Sequence, residues 1–220
     1  MEYTLSLVAE RSVVRESLKG IIWSIFFHRL FGPITPAMCE FLGVPYPVAS
    51  DLPDLDSLVD EKIDQLIRMG FSFNNTDLIS PLNAEVKYGV VTVRFLDLPT
   101  TKSKKKTGWF GQGKSDDEVD LKLWESWIIQ IKCLPVLSES SSDKKLHQAD
   151  HHLDPNVAAS VSSFEDNLLK IIDIADSHKD HIPPITSLES APFPYVINVE
   201  LLERKPSEDE SWGSYIKKIL

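Results

Sequence analysis

Two segments of alternating apolar residues follow one another with no helical pattern between them. Val86, Tyr88, Val90 or Val91, Val93 and Phe95 form the first, with Gly89 as a candidate bulge. Trp127, Ile129, Ile131 and Cys133 form one face of the second, with Ile128, Gln130 and Lys132 on the other. Alternation places successive side chains on opposite faces of a strand. Parallel neighbours need a crossover, usually a helix, whereas antiparallel strands do not. The chain is therefore expected to be α+β, with a mostly antiparallel sheet and helices packed on it.

The remaining pattern fills in that layout. Tyr3, Leu5 and Leu7 alternate with polar residues and predict an opening strand. Val14, Leu18, Ile21, Ile22 and Ile25 make the stripe of a first helix over about residues 12–30, ended by Gly32 and Pro33. Residues 33–53 hold five of the 14 prolines and predict a long loop or irregular edge. A second helix is expected over about 54–69, with Gly70 as its C-cap. A third is expected over about 155–178, with Val157, Val161, Phe164, Leu168, Ile171, Ile172 and Ala175 on its buried stripe. Leu169 and Ile174 fall outside that stripe and hint at a second buried face. Tyr195, Ile197, Val199 and Leu201 predict a last strand, and Trp212, Tyr215, Ile216 and Ile219 an amphipathic tail. Residues 1–220 read as one domain, with loops at about 99–118 and 138–155 expected to be disordered or flexible.

Charge and motifs exclude several functions. Asp and Glu total 33 against 23 Lys and Arg, a net charge of -10 that disfavours nucleic acid and anionic membranes. The two cysteines, Cys39 and Cys133, are unclustered and fit a reducing compartment with no zinc site. The first residues lack the basic region of a signal peptide, so a cytoplasmic protein is expected. Gly108–Ser115 matches the phosphate-binding pattern GxxxxGK[ST]. Such a loop works by joining a strand directly to a helix N-terminus. Here Pro99 and a lysine run precede it, three acidic residues follow, and the pattern then turns to strand. His147, His151 and His152 lie in a polar stretch with no rigid scaffold for a metal. His28, Arg29, His178 and His181 sit at helix ends, where a cation meets the negative pole of the helix dipole. No catalytic residue, metal ligand or cofactor is assigned.

Four segments in order resemble one family. The first helix ends Ile25-Phe26-Phe27-His28-Arg29, and a Trp109-Phe110 pair stands on the loop between the middle strands. Leu123-Trp124-Glu125-Ser126-Trp127-Ile128-Ile129 opens the later strand, and Lys179-Asp180-His181-Ile182-Pro183-Pro184-Ile185 follows the third helix. Together they resemble the autophagy-related protein 101 family, HORMA-domain subunits of the autophagy-initiation kinase complex. The resemblance implies a HORMA domain, a sheet with three helices on one side, without catalytic activity. It implies a partner, the HORMA domain of autophagy-related protein 13, stabilised by heterodimerisation. His28 and its neighbour Ser24 would lie in that interface, with part of the third helix. Trp109 and Phe110 would form an exposed finger that recruits downstream autophagy factors at the pre-autophagosomal structure. The family lacks the full C-terminal belt of other HORMA proteins. A competing reading is a peripheral membrane module, in which Lys102, Lys104, Lys105 and Lys106 pair with Trp109 and Phe110.

Overall fold

The computed structural model describes residues 1–72, 85–97, 121–136, 154–186, 189 and 191–203. The glycine-flanked loop with Trp109 and Phe110, the histidine-rich run and the tail stripe lie outside them.

The elements run β1 (Glu2–Glu10), α1 (Val14–Phe27), β2 (Pro36–Phe41), β3 (Val44–Ala49), α2 (Pro53–Leu66), β4 (Lys87–Asp97), β5 (Lys122–Leu134), α3 (Pro155–Ser177) and β6 (Tyr195–Leu202). Four strands form one sheet in the order β1-β5-β4-β6. The β4–β5 and β4–β6 pairs are antiparallel, and β1–β5 is parallel. The sheet is mixed but mostly antiparallel, as the two adjoining strand patterns required.

All three helices contribute to a single core on one face. Leu5, Leu7, Ile22, Trp127, Ile129, Ile131, Phe164, Leu168 and Ile171 are all buried in it. The approach of α1 to α3 is set at Gly20, where an added Cβ would stand 2.7 Å from the Phe164 ring. α1 also meets α2 along a ladder of opposite charges. Arg15 pairs with Asp64 and Asp60, Lys19 with Asp60 and Asp56, and Trp23 donates its indole N–H to Asp56 at 3.0 Å. The four-residue spacing on both helices keeps each set on one face.

α3 serves a second purpose at the β1 edge. Ser160 and Ser163 accept the backbone N–H groups of Glu10 and Val8 at 2.7 and 2.8 Å. Asn167 and Lys170 donate to the carbonyls of Ser6 and Thr4 at 2.9 and 2.8 Å. An open strand edge would otherwise present unpaired groups to another chain. Here one face of a helix satisfies it.

Several sequence expectations are corrected. Residues 36–49 form an antiparallel hairpin, β2–β3, where a loop or irregular edge was expected. Its turn places Leu42 and Gly43 at φ 46° and 89°, the mirror-image geometry that suits hairpin twist. The prolines fit because this two-stranded ribbon needs few ladder donors. Gly70 does not cap α2; it lies in a π-helical turn, Ile67–Phe71, pressed against Leu201. Gly89 carries no bulge. It makes room for the Phe71 ring, and the register shift falls between Phe95 and Leu96. On α3, Ile174 is buried, but Leu169 and Ile172 are exposed, at 67% and 52%. Ile172 therefore leaves the predicted stripe, and Leu169 marks no second buried face.

Leu168 and Leu169 give a matched test of this helix orientation. Leu168→Ala should cost about 2–5 kcal/mol in urea denaturation. Leu169→Ala should change stability by less than about 0.5 kcal/mol.

Candidate protein-docking cleft

α1 ends in an apolar stretch that the chain must leave, and His28 is the cap residue. Its N–H still reaches the Ser24 carbonyl, at 3.4 Å, while the Arg29 N–H turns to Phe26 O at 2.8 Å. The turn sends the Arg29 side chain inward. The guanidinium meets the carboxylate of Glu125 on β5 through two bonds, Nε to Oε1 at 2.7 Å and Nη2 to Oε2 at 2.9 Å. Both residues are buried, at 3% and 0% exposure. Arg29 is thus no surface cation at a helix end, as the sequence suggested.

The Glu125 carboxylate gathers two further groups. Trp127 Nε1 donates to Oε1 at 2.5 Å, and His181 Nε2 lies 2.7 Å from Oε2. A carboxylate beside arginine only accepts, so the His181 proton sits on Nε2. Tyr3 and Trp124 flank the His181 ring, with centroids at 6.2 and 5.6 Å. His181 therefore anchors the segment after α3 to the sheet, where it had been expected to cap the helix. Desolvating two charges is costly, and the bidentate geometry plus the extra donors offset that cost.

Above this cluster the ends of α1 and α3 enclose a cleft of about 400 Å³. His28, Phe31, Ile172, Ala175 and Ile182 supply apolar and aromatic walls, and Asp176 and Lys179 stand among them. Leu169 lies one turn before Ile172 on the same stripe of α3 and extends the apolar surface beyond the cleft. The His28 pKa is lowered from 6.5, first by burial and then by the neighbouring Arg29 charge. The neutral ring is the form this surface favours.

The predicted interface residues separate here. His28 is half-buried and lines the cleft. Ser24 is buried, and its hydroxyl donates to the Gly20 carbonyl at 2.7 Å, so it supports the helix and offers no surface group. Trp109 and Phe110 fall outside the described residues. Sequence reasoning missed Glu125 and His181. One signal was available: Glu125 stands in the same alternating phase as Trp127, Ile129 and Ile131, and a charge in a core phase demands a partner. Among the described residues, no group of three or more His, Cys, Asp or Glu is placed to hold a metal ion. No described helix is long and apolar enough to cross a membrane.

Two measurements test this geometry. Glu125→Leu strands the Arg29 charge and should cost about 3–5 kcal/mol by chemical denaturation. Adding Arg29→Met should restore a large part of that loss. His28 titrates below 6.5 in the fold, so the unfolded chain binds its proton first as pH falls. Its contribution to stability is present above 6.5 and is lost as pH falls through the lowered value. Wild type should therefore lose more stability than His28→Asn between about pH 7.5 and pH 5.5.

Comparison with known proteins agrees with this architecture. The family model described as Autophagy-related protein 101 matches residues 6–189. Autophagy-related protein 101 of Arabidopsis thaliana is 25% identical over 190 residues, covering 81% of this chain and 77% of that protein. Three helices on one face of a mostly antiparallel mixed sheet make the α+β, HORMA-like layout implied by the resemblance. With its order of elements and a match across most of its length, the chain belongs to the autophagy-related protein 101 family.

Proposed function

We propose that this chain is a non-enzymatic adaptor of autophagy initiation that pairs with the HORMA domain of autophagy-related protein 13. The observation that supports this reading is the apolar cleft between the ends of α1 and α3, continued by exposed Leu169 and Ile172. Exposed aliphatic side chains beside a concave apolar wall suit a protein partner, because both surfaces shed water on contact. Family membership directs the choice of partner. The Arg29–Glu125–His181 cluster supports the cleft from beneath, so little ordering entropy opposes binding. His28 lies in this surface in its neutral form.

In the same reading Trp109 and Phe110 recruit downstream factors. Adjacent large aromatics bring much contact area through side chains with few rotatable bonds. The protein then works in the cytoplasm and at the pre-autophagosomal structure, reaching membranes only through its partners.

Calorimetry against the partner HORMA domain tests the cleft. Ile172→Asp should weaken binding at least about tenfold while leaving the melting temperature unchanged, since the side chain is exposed. His28→Arg should weaken it as well, by placing a charge in a desolvated wall. Unchanged affinity in both variants would remove the cleft from the interface. The finger is tested separately. Trp109→Ala with Phe110→Ala should preserve stability and heterodimer formation and abolish co-precipitation of downstream factors; a large fall in melting temperature would assign the pair to the core.

A further inference from the structure

The β2–β3 hairpin has two edges, and they are unlike. Its tight turn at Leu42 and Gly43 makes Phe41 and Val44 a hydrogen-bonded pair. The Ser50 N–H, reaching the Thr35 carbonyl at 3.1 Å, continues the same phase. The alternate residues therefore aim their backbone groups outward: Pro36, Met38 and Glu40 from β2, and Pro45, Pro47 and Ala49 from β3. Pro45 and Pro47 have no N–H to offer, so the β3 edge is closed to another strand. On β2 the N–H groups of Met38 and Glu40 remain. Pro36, Met38, Cys39 and Glu40 are all exposed, Met38 to 65%. The inner side of the ribbon is equally uneven. Tyr46 is buried against Phe164, whereas Cys39, its cross-strand partner, is exposed. β3 sits on the domain, and β2 overhangs it with room for a neighbour.

We propose that β2 pairs edge to edge with β2 of a second copy of this chain, antiparallel and centred on Met38. Donor matching and charge select this occupant and this register. With Met38 opposite its own copy, the Met38 N–H meets the other chain's Met38 carbonyl, and the Glu40 N–H meets the Pro36 carbonyl. Both outward donors of each copy are then used. Pro36, which has no N–H, leaves only the exposed Glu40 carbonyl to water. A shift of two residues in one direction brings the two Glu40 side chains to diagonal positions about 7–8 Å apart, where like charges repel. Centring on Met38 sets them about 14 Å apart. A shift the other way carries Glu40 past the end of β2. The two exposed Met38 side chains meet on the outer face at the centre of the joint. The contact is short and each copy carries a net charge of -10, so pairing is weak, concentration-dependent and strengthened by salt. No residue of this edge lines the α1–α3 cleft.

Sedimentation equilibrium of the whole chain tests the pairing. The mean mass should rise from that of one chain toward that of two as concentration increases, and rise further with added salt. Met38→Pro removes the two central donors, and Met38→Asp sets like charges on residues whose Cα atoms lie about 5.5 Å apart across the axis. Each should weaken association at least about tenfold. Thermal melting read by circular dichroism should stay near that of wild type, because Met38 is exposed and its N–H takes no part in the hairpin ladder. Should Met38→Pro disturb the hairpin, Met38→Asp decides alone. Cross-linking reads the register. In a Cys39→Ser background Cys133 is silent, because burial pushes its thiol up to about 11. A short bismaleimide should join copies carrying Met38→Cys and not copies carrying Leu42→Cys, where the paired positions stand about 27 Å apart. A mass of one chain at every concentration, association unchanged in both Met38 variants, or cross-linking at position 42 as ready as at 38 would overturn the proposal. So would protection of the Met38 and Glu40 amides from exchange only in the presence of the partner HORMA domain, which would give the edge to that chain.

Discussion

One buried carboxylate organises the end of this molecule where its helices converge. Glu125 receives two bonds from Arg29, one from the Trp127 indole and one from His181. Those groups come from the end of α1, from β5 itself and from the segment after α3. A charge without water must find its full set of partners, so the cluster fixes three distant parts of the chain relative to one another. Apolar contacts tolerate small shifts. A bidentate ion pair with two added donors tolerates far fewer. The shape of the cleft above it follows from that constraint.

The rest of the helical layer is positioned by different means. α1 is held to α2 by charge pairs and one indole bond, and to α3 by the close approach at Gly20. α3 is held to the sheet edge by a line of hydrogen-bonding side chains, Ser160, Ser163, Asn167 and Lys170, bonded to the β1 backbone. Because one side of α3 is engaged in this way and another in the core, Leu169 and Ile172 remain at the surface. Their exposure is a consequence of helix orientation, and it leaves the cleft with an apolar border. Edge protection and the apolar border of the cleft are thus two faces of one helix.

Much of this fold was legible in the sequence. The alternation through Trp127, Ile129 and Ile131 and the helical spacing of Phe164, Leu168 and Ile171 identified the core, because burial imposes those periods on any such chain. The hairpin at 36–49 was hidden, since four of its residues are prolines or glycine and periodicity is weak where one ribbon lies apart from the main sheet. The exposure of Ile172 was hidden too. It depends on how α3 rotates to serve the β1 edge, which is a long-range fact. At the candidate site, His28 was legible by resemblance, whereas Glu125 and His181, 56 residues apart, meet only in three dimensions. The burial of Ser24 was likewise invisible, because Ser24 falls outside the apolar stripe of α1 and its burial depends on long-range packing.

The account gives this member of the autophagy-related protein 101 family a mostly antiparallel mixed sheet and a helical face that presents an apolar cleft. Its central claim is that partner binding takes place at the cleft. Hydrogen–deuterium exchange of the chain, alone and with the HORMA domain of autophagy-related protein 13, tests this most directly. The account predicts added protection at the end of α1, around residues 24–31, and along residues 169–182 of α3 and the segment after it. Protection confined to the β2–β3 hairpin or to β6, with these two stretches unchanged, would contradict it.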